Sequence, residues 1–222
     1  MAFDSAQERR IGGSWGTIAT LVAADGSATH RLPGLLAGPH VAARDLADAV
    51  HALCALHGRH PGVIDHAIER NDQPAARDWL YHATAGFINE RAYLAGLTAA
   101  AGPLPSTPGQ AESEAAVAAQ RHALDMLAQS DRAGCATGAA VALILDWTSI
   151  RRTLDVAARR FGVDPPASTL PDEFETASLV SALADTPAIE RAMGFGAQQI
   201  LAQHRGLWDL LEARSSARNH NG

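Results

Sequence analysis

Apolar residues recur every three or four positions through most of this 222-residue chain, in segments that proline and glycine separate. This spacing places the apolar side chains on one face of an α-helix. Alanine is abundant and only 5% of the residues are aromatic, a composition that favours closely packed helices. We therefore predict an all-α protein, an up-and-down bundle of four to five long helices with shorter helices around it.

Proline and glycine also predict where the helices begin and end. Residues 15–22 follow helical spacing, and we predict a short helix there, although Asp25-Gly26 would suit a hairpin turn. The remaining helices are expected at about residues 41–57, 61–70, 74–101, 110–129, 134–161, 172–184 and 187–213.

No break in the pattern isolates a second domain. We predict one helical-bundle domain at residues 15–213. Residues 1–14 are expected to be flexible, and the polar residues 214–222 are expected to form a disordered tail.

The charge composition excludes several function classes. The formal net charge is -6, so neither nucleic acid nor an anionic membrane is expected as a partner. All 18 residues counted as lysine or arginine are arginine. A chain without lysine cannot form the Schiff base that holds pyridoxal phosphate, and it cannot supply the lysine of a P-loop or a protein kinase.

Two further features predict a cytoplasmic protein. The first ten residues, MAFDSAQERR, lack the apolar run of a secretory signal. The most apolar segment, residues 136–145, is far shorter than the roughly 20 residues that span a bilayer. Cys54 and Cys135 lie in separate helical segments, and we expect both thiols to be reduced.

Histidines are concentrated in the stretch HALCALHGRHPGVIDHAIE, residues 51–69. Imidazoles and carboxylates are the usual ligands of zinc and non-haem iron. His57 lies on the apolar face of its helix, three residues before His60, so the two imidazoles could bind one metal ion. The alternative is that His57 is a hydrogen-bonded core residue.

Two carboxylates occupy positions at which the pattern predicts a core. Glu90 interrupts an otherwise apolar helix face, and Asp146 is the only charged residue between Gly134 and Ile150. An unpaired buried carboxylate is very unfavourable, so each must pair with a cation, bind a metal or be protonated. For Asp146 the expected cation is Arg151 or Arg121.

These residues define a candidate site. We predict that Glu90, Asp146 and His57 bind a small ligand, and that a metal site would consist of His57, His60, Glu90, His122 and Asp146. Iron, manganese and zinc are the candidate metals, although the Glu-x-x-His motif of di-iron bundles is absent. These residues leave open whether the protein is an enzyme.

Three segments carry a resemblance to a known family. The segments HALCALHGRHPGVIDHA, PLPSTPGQAESE and LDWTSIRRTLD resemble an uncharacterised family of bacterial all-helical proteins, over roughly residues 15–208. The resemblance implies a helical fold and brings no assigned activity. A similarity in architecture to ferritin-like and haem-oxygenase-like bundles transfers no functional residue, because the motifs of those proteins are absent.

Two hypotheses about function remain open at this stage. In the first, the bundle binds a metal ion or small molecule in a buried pocket of carboxylates and histidines. In the second, it is a non-catalytic interaction or scaffold module whose buried charges are structural ion pairs. The second hypothesis predicts a homo-oligomer or a partner protein on an outer apolar surface.

Overall fold

Nine α-helices and one 3-10 turn make up the secondary structure of the described residues, which are 14–70, 74–183 and 186–220 of the computed structural model. No strand occurs in these ranges, so the predicted all-α fold is confirmed. The α-helices are α1 Gly16–Asp25, α2 Arg31–Leu36, α3 Ala43–His57, α4 Val63–Glu69, α5 Pro74–Ala101, α6 Gln110–Ala128, α7 Cys135–Phe161, α8 Glu173–Leu183 and α9 Pro187–His220. The 3-10 turn, Ser27–Thr29, lies between α1 and α2.

Helix α7 is the centre of the bundle. Every residue from Cys135 to Ile144 is buried, as expected of a helix that is apolar on all sides. Helices α3, α4, α5, α6 and α9 pack around it. Asp146, just beyond this apolar segment, is therefore held inside the molecule.

Helices α7 and α9 approach each other closely through two glycines. A Cβ atom at Gly138 would lie 2.1 Å from the carbonyl oxygen of Met193, and one at Gly196 would lie 2.0 Å from the carbonyl oxygen of Cys135. Only glycine allows the two backbones to touch at these positions. The close contact of α7 and α9 therefore depends on a glycine from each helix.

Helix α9 continues beyond the position at which the sequence predicted a disordered tail. Residues 214–220 are helical, and the side chains of Arg214 and Arg218 are almost completely buried. Arg214 pairs with Asp48 at 3.0 Å, and Arg218 pairs with both Asp45 and Asp48. These ion pairs to α3 explain why a polar segment forms the end of a helix.

The N-terminal residues were predicted to form a flexible segment followed by a short helix. The predicted flexible segment at residues 1–14 lies outside the described residues except for Ser14. The helix predicted near residue 15, in place of a hairpin, is confirmed by α1.

Both cysteines are free thiols, as expected. In the part of the chain that the structure describes, no helix is long and apolar enough to cross a membrane.

Candidate functional site

Three buried side chains from three helices form a continuous hydrogen-bonded chain in the core. Nδ1 of His204, on α9, lies 2.6 Å from Oδ2 of Asp146, on α7. Nε2 of the same ring lies 2.9 Å from Nε2 of His57, on α3. No more than 6% of any of the three residues is exposed. We call Asp146, His204 and His57 the histidine chain.

Ser27 holds Asp146 in its ionised form. The backbone N–H of Ser27 donates to Oδ1 of Asp146 and its hydroxyl donates to Oδ2, both at 2.6 Å. Trp208 in turn donates its indole N–H to the serine oxygen at 2.9 Å. Burial opposes ionisation of Asp146, but the hydrogen bonds from His204 and Ser27 outweigh it, so the pKa of Asp146 lies below its ordinary value of 3.8.

His57 is held in its neutral form. Burial, followed by the charge that His204 carries when it is protonated and then by the charge of Arg91, keeps the pKa of His57 well below its ordinary value of 6.5. A neutral imidazole has a single N–H.

The carboxylate places a proton on Nδ1 of His204, and the tautomer of His57 depends on whether His204 carries a second proton. Because a carboxylate only accepts hydrogen bonds, Nδ1 of His204 donates to Asp146. When His204 carries this proton alone, its Nε2 must accept. In that state the N–H of neutral His57 is on Nε2, and it donates to His204. Nδ1 of His57 keeps its lone pair and makes no hydrogen bond to another residue in the described ranges.

Aromatic rings surround His57. The rings of Trp147 and Phe87 pack edge-on against the imidazole, with centroids 5.5 and 6.4 Å away, and they also pack against each other at 4.9 Å. An apolar surrounding of this kind excludes water and strengthens electrostatic interactions within the histidine chain.

His57 lines a cavity of about 300 Å³ between α3, α4, α5 and α6, which we call the histidine cavity. Arg91 lines this cavity and forms an ion pair with Asp65. Arg59 and Arg121 also line it, and neither makes an ion pair with another described residue. The other titratable side chains that line the cavity are His60, His66 and Asp125. With three arginines and one carboxylate in its wall, the cavity favours an anionic ligand.

Glu90 belongs to a neighbouring network. It accepts hydrogen bonds from Arg151 at 2.6 Å and from the indole N–H of Trp147 at 3.0 Å. Glu90 is thus buried in an ion pair, which was one of the alternatives predicted for it. Glu90 and Asp146 share no hydrogen bond, although Trp147 contacts both Glu90 and His57.

The structure separates the other residues of the predicted metal site. His60 lines the histidine cavity, but its side chain is 65% exposed and lies 3.9 Å from Asp65. His122 is exposed and lines none of the cavities that the structure defines among the described residues. Within the described ranges, no three His, Cys, Asp or Glu side chains form a group that could hold a metal ion. Of the five predicted ligands, only His57 and Asp146 join one network, and they do so through His204.

Sequence reasoning missed His204 and Ser27. The signal for His204 was present, since it interrupts an apolar helix face that contains Ile200, Leu201, Leu207, Trp208 and Leu211. Ser27 lies in a connector, where no periodicity marks a residue as buried. Neither Arg151 nor Arg121 pairs with Asp146, because His204 and Ser27 occupy both of its carboxylate oxygens.

The fold and this site define a class, namely a helical bundle with a buried carboxylate–histidine–histidine chain that ends at a small cavity. A family model described as Family of unknown function (DUF6975) matches residues 22–219, and the chain belongs to this family. The match spans the whole histidine chain, and it confirms the resemblance to a family without an assigned activity. No curated protein and no solved structure matches the chain.

Proposed function

We propose that the protein binds a small molecule in the histidine cavity and exchanges a proton with it through Nδ1 of His57. The observation that carries this proposal is the 2.9 Å contact between His57 and His204, because it connects a cavity wall to a buried, ionised carboxylate. A histidine that is neutral at neutral pH can act as a general base.

The proton balance explains why a chain of two imidazoles suits this task. In the proposed resting state both imidazoles are neutral. When Nδ1 of His57 accepts a proton, its Nε2 proton passes to Nε2 of His204. The positive charge then lies on His204, whose Nδ1–H faces the Asp146 carboxylate, and not on His57 between Phe87 and Trp147. A charge-assisted hydrogen bond to Asp146 stabilises that cation. Return of the proton to the bound molecule restores the starting state.

The proposal predicts that Asp146→Asn reverses the direction of every hydrogen bond in the histidine chain. Oδ1 of Asp146 faces the backbone N–H of Ser27, which can only donate, so the asparagine oxygen must occupy that position. The amide NH₂ then faces Nδ1 of His204, which is forced to accept. His204 donates through Nε2 to His57, and His57 carries its proton on Nδ1 and is no longer a base at that atom.

Nitrogen chemical shifts of ¹⁵N-histidine-labelled protein distinguish these tautomers directly. We expect the Nε2–H form of His57 in the wild type and the Nδ1–H form in Asp146→Asn. Glu90→Gln is the matched control, because it neutralises the buried carboxylate of the neighbouring network and should leave the His57 tautomer unchanged. The same His57 tautomer in the wild type and in Asp146→Asn would contradict the proposal.

A further inference from the structure

Two cavities lie next to each other in the cleft between α3 and α6. Leu56 and His57, at the end of α3, line the histidine cavity together with Arg121, Leu124 and Asp125, near the end of α6. A second cavity of about 200 Å³, which we call the apolar cavity, lies against earlier turns of the same two helices. It is lined on α3 by Asp48, His51, Ala52 and Ala55, and on α6 by Ser113, Glu114, Val117, Ala118 and Arg121. Both helices therefore line both cavities, and the two cavities form successive parts of one cleft.

The apolar cavity has few polar groups available to a ligand. Asp48 and Arg214 pair with each other at 3.0 Å, and His51 is hydrogen-bonded to a backbone carbonyl at 2.9 Å. Glu114 lies on the exposed face of α6. Ser113 donates its hydroxyl to the backbone carbonyl of Gly109 at 2.9 Å. Apart from Arg121, the remaining wall is aliphatic, and it consists of Ala52, Ala55, Leu104, Val117, Ala118, Leu210 and Leu211.

Arg121 lines both cavities and so lies where they meet. It makes no hydrogen bond or ion pair with any other residue in the ranges that the structure describes, including Asp125 one turn further along α6. A partly buried guanidinium without a partner is suited to binding a carboxylate through two parallel hydrogen bonds.

We infer that the ligand is a short amphiphilic monocarboxylate, with its carboxylate on Arg121 and its alkyl chain in the apolar cavity. The carboxylate end of the ligand would then share the histidine cavity with His57. The two volumes together lie in the lower half of the roughly 300–1,000 Å³ range of small-molecule sites, and the alkyl chain has only the smaller cavity of about 200 Å³, which suits a short chain and not a long-chain lipid. This inference rests on the proposed function of the histidine cavity and adds the class of molecule that it binds.

Isothermal titration calorimetry with decanoate, below its micelle concentration, tests the inference. We expect decanoate to bind the wild type more tightly than either acetate, which lacks the chain, or decanol, which lacks the charge. Arg121→Gln should weaken decanoate binding about ten- to a hundredfold, as expected for loss of a hydrogen-bonded charge pair. Ala118→Phe should weaken it by blocking the apolar cavity, and its exposed position makes the substitution compatible with folding.

Arg152→Gln is the matched control, since Arg152 is an exposed arginine that lines neither part of the cleft. It should leave decanoate binding unchanged. Absence of decanoate binding, or equal binding by the wild type and Arg121→Gln, would overturn the inference. If decanoate binding fails in either way while Asp146→Asn still reverses the His57 tautomer, the inferred ligand class is wrong and the proposed proton exchange through the histidine chain is retained. If decanoate binds as expected while the tautomer does not reverse, the cleft is a binding site without the proposed proton exchange.

Discussion

Asp146 and His57 are both buried, and burial opposes the charged form of each, yet Asp146 is ionised and His57 is neutral. Asp146 is ionised although it is buried, because three hydrogen bonds favour its charged form. His57 has no carboxylate partner, and burial keeps it neutral. This difference in charge depends on which neighbours contact the carboxylate oxygens and the ring nitrogens. Those contacts are tertiary, and the local sequence does not specify them.

The depressed pKa of His57 makes stability depend on pH in a defined window. Because the folded pKa lies below the unfolded value, the contribution of neutral His57 is fully present above about pH 6.5 and is lost as the pH falls towards the folded pKa. The contribution of Asp146 is lost only below its ordinary value of 3.8, outside this window. His57→Gln removes the imidazole that titrates, and with it this contribution to the pH dependence of stability.

Urea unfolding at a series of pH values checks this prediction. Between about pH 7 and about pH 5, the free energy of unfolding of the wild type should fall more steeply than that of His57→Gln. The difference in slope should be on the order of 1 kcal/mol per pH unit. Parallel curves for the two proteins would show that His57 does not remain neutral in the folded state.

At the scale of helices, most of the fold could be predicted because apolar spacing and proline are local signals. Helix α5 begins at Pro74 and ends at Ala101, as predicted. The end of α9 could not be predicted, because residues 214–220 are polar and their helix depends on ion pairs with Asp45 and Asp48 on α3. The burial of Glu90 and Asp146 was also predictable, since each interrupts an apolar segment, whereas their partners were not.

The contact between α7 and α9 gives a prediction at this scale. Gly138→Ala should destabilise the protein by about 1–3 kcal/mol or more, because the added methyl group overlaps the backbone at Met193. Gly96→Ala is the matched control, since a methyl group added to this helical glycine on α5 would meet no atom within 4 Å and should gain about 0.5–1 kcal/mol. Urea unfolding of both variants measures the difference. Equal stabilities would indicate that the backbones of α7 and α9 do not touch at Gly138.

At the scale of the whole molecule, the histidine chain exists only because distant parts of the sequence meet around α7. His57 and His204 are separated by 147 residues, and Ser27 is 119 residues from Asp146. The buried pairs Glu90–Arg151 and Asp48–Arg214 also join separate elements, as the scaffold hypothesis predicted of buried charges. Each of these buried charges has a partner of opposite charge. By contrast, Nδ1 of His57 and the guanidinium of Arg121 have no hydrogen-bond partner among the described residues. This difference favours a ligand site in the cleft.

The hydrogen bond between His57 and His204 can be measured directly by NMR, through the scalar coupling that an N–H···N bond transmits between its two nitrogens. We predict a coupling between Nε2 of His57 and Nε2 of His204 in the ligand-free wild type near neutral pH, with the proton attached to His57. No coupling between these nitrogens, together with a proton on Nδ1 of His57, would contradict the histidine chain as the basis of function.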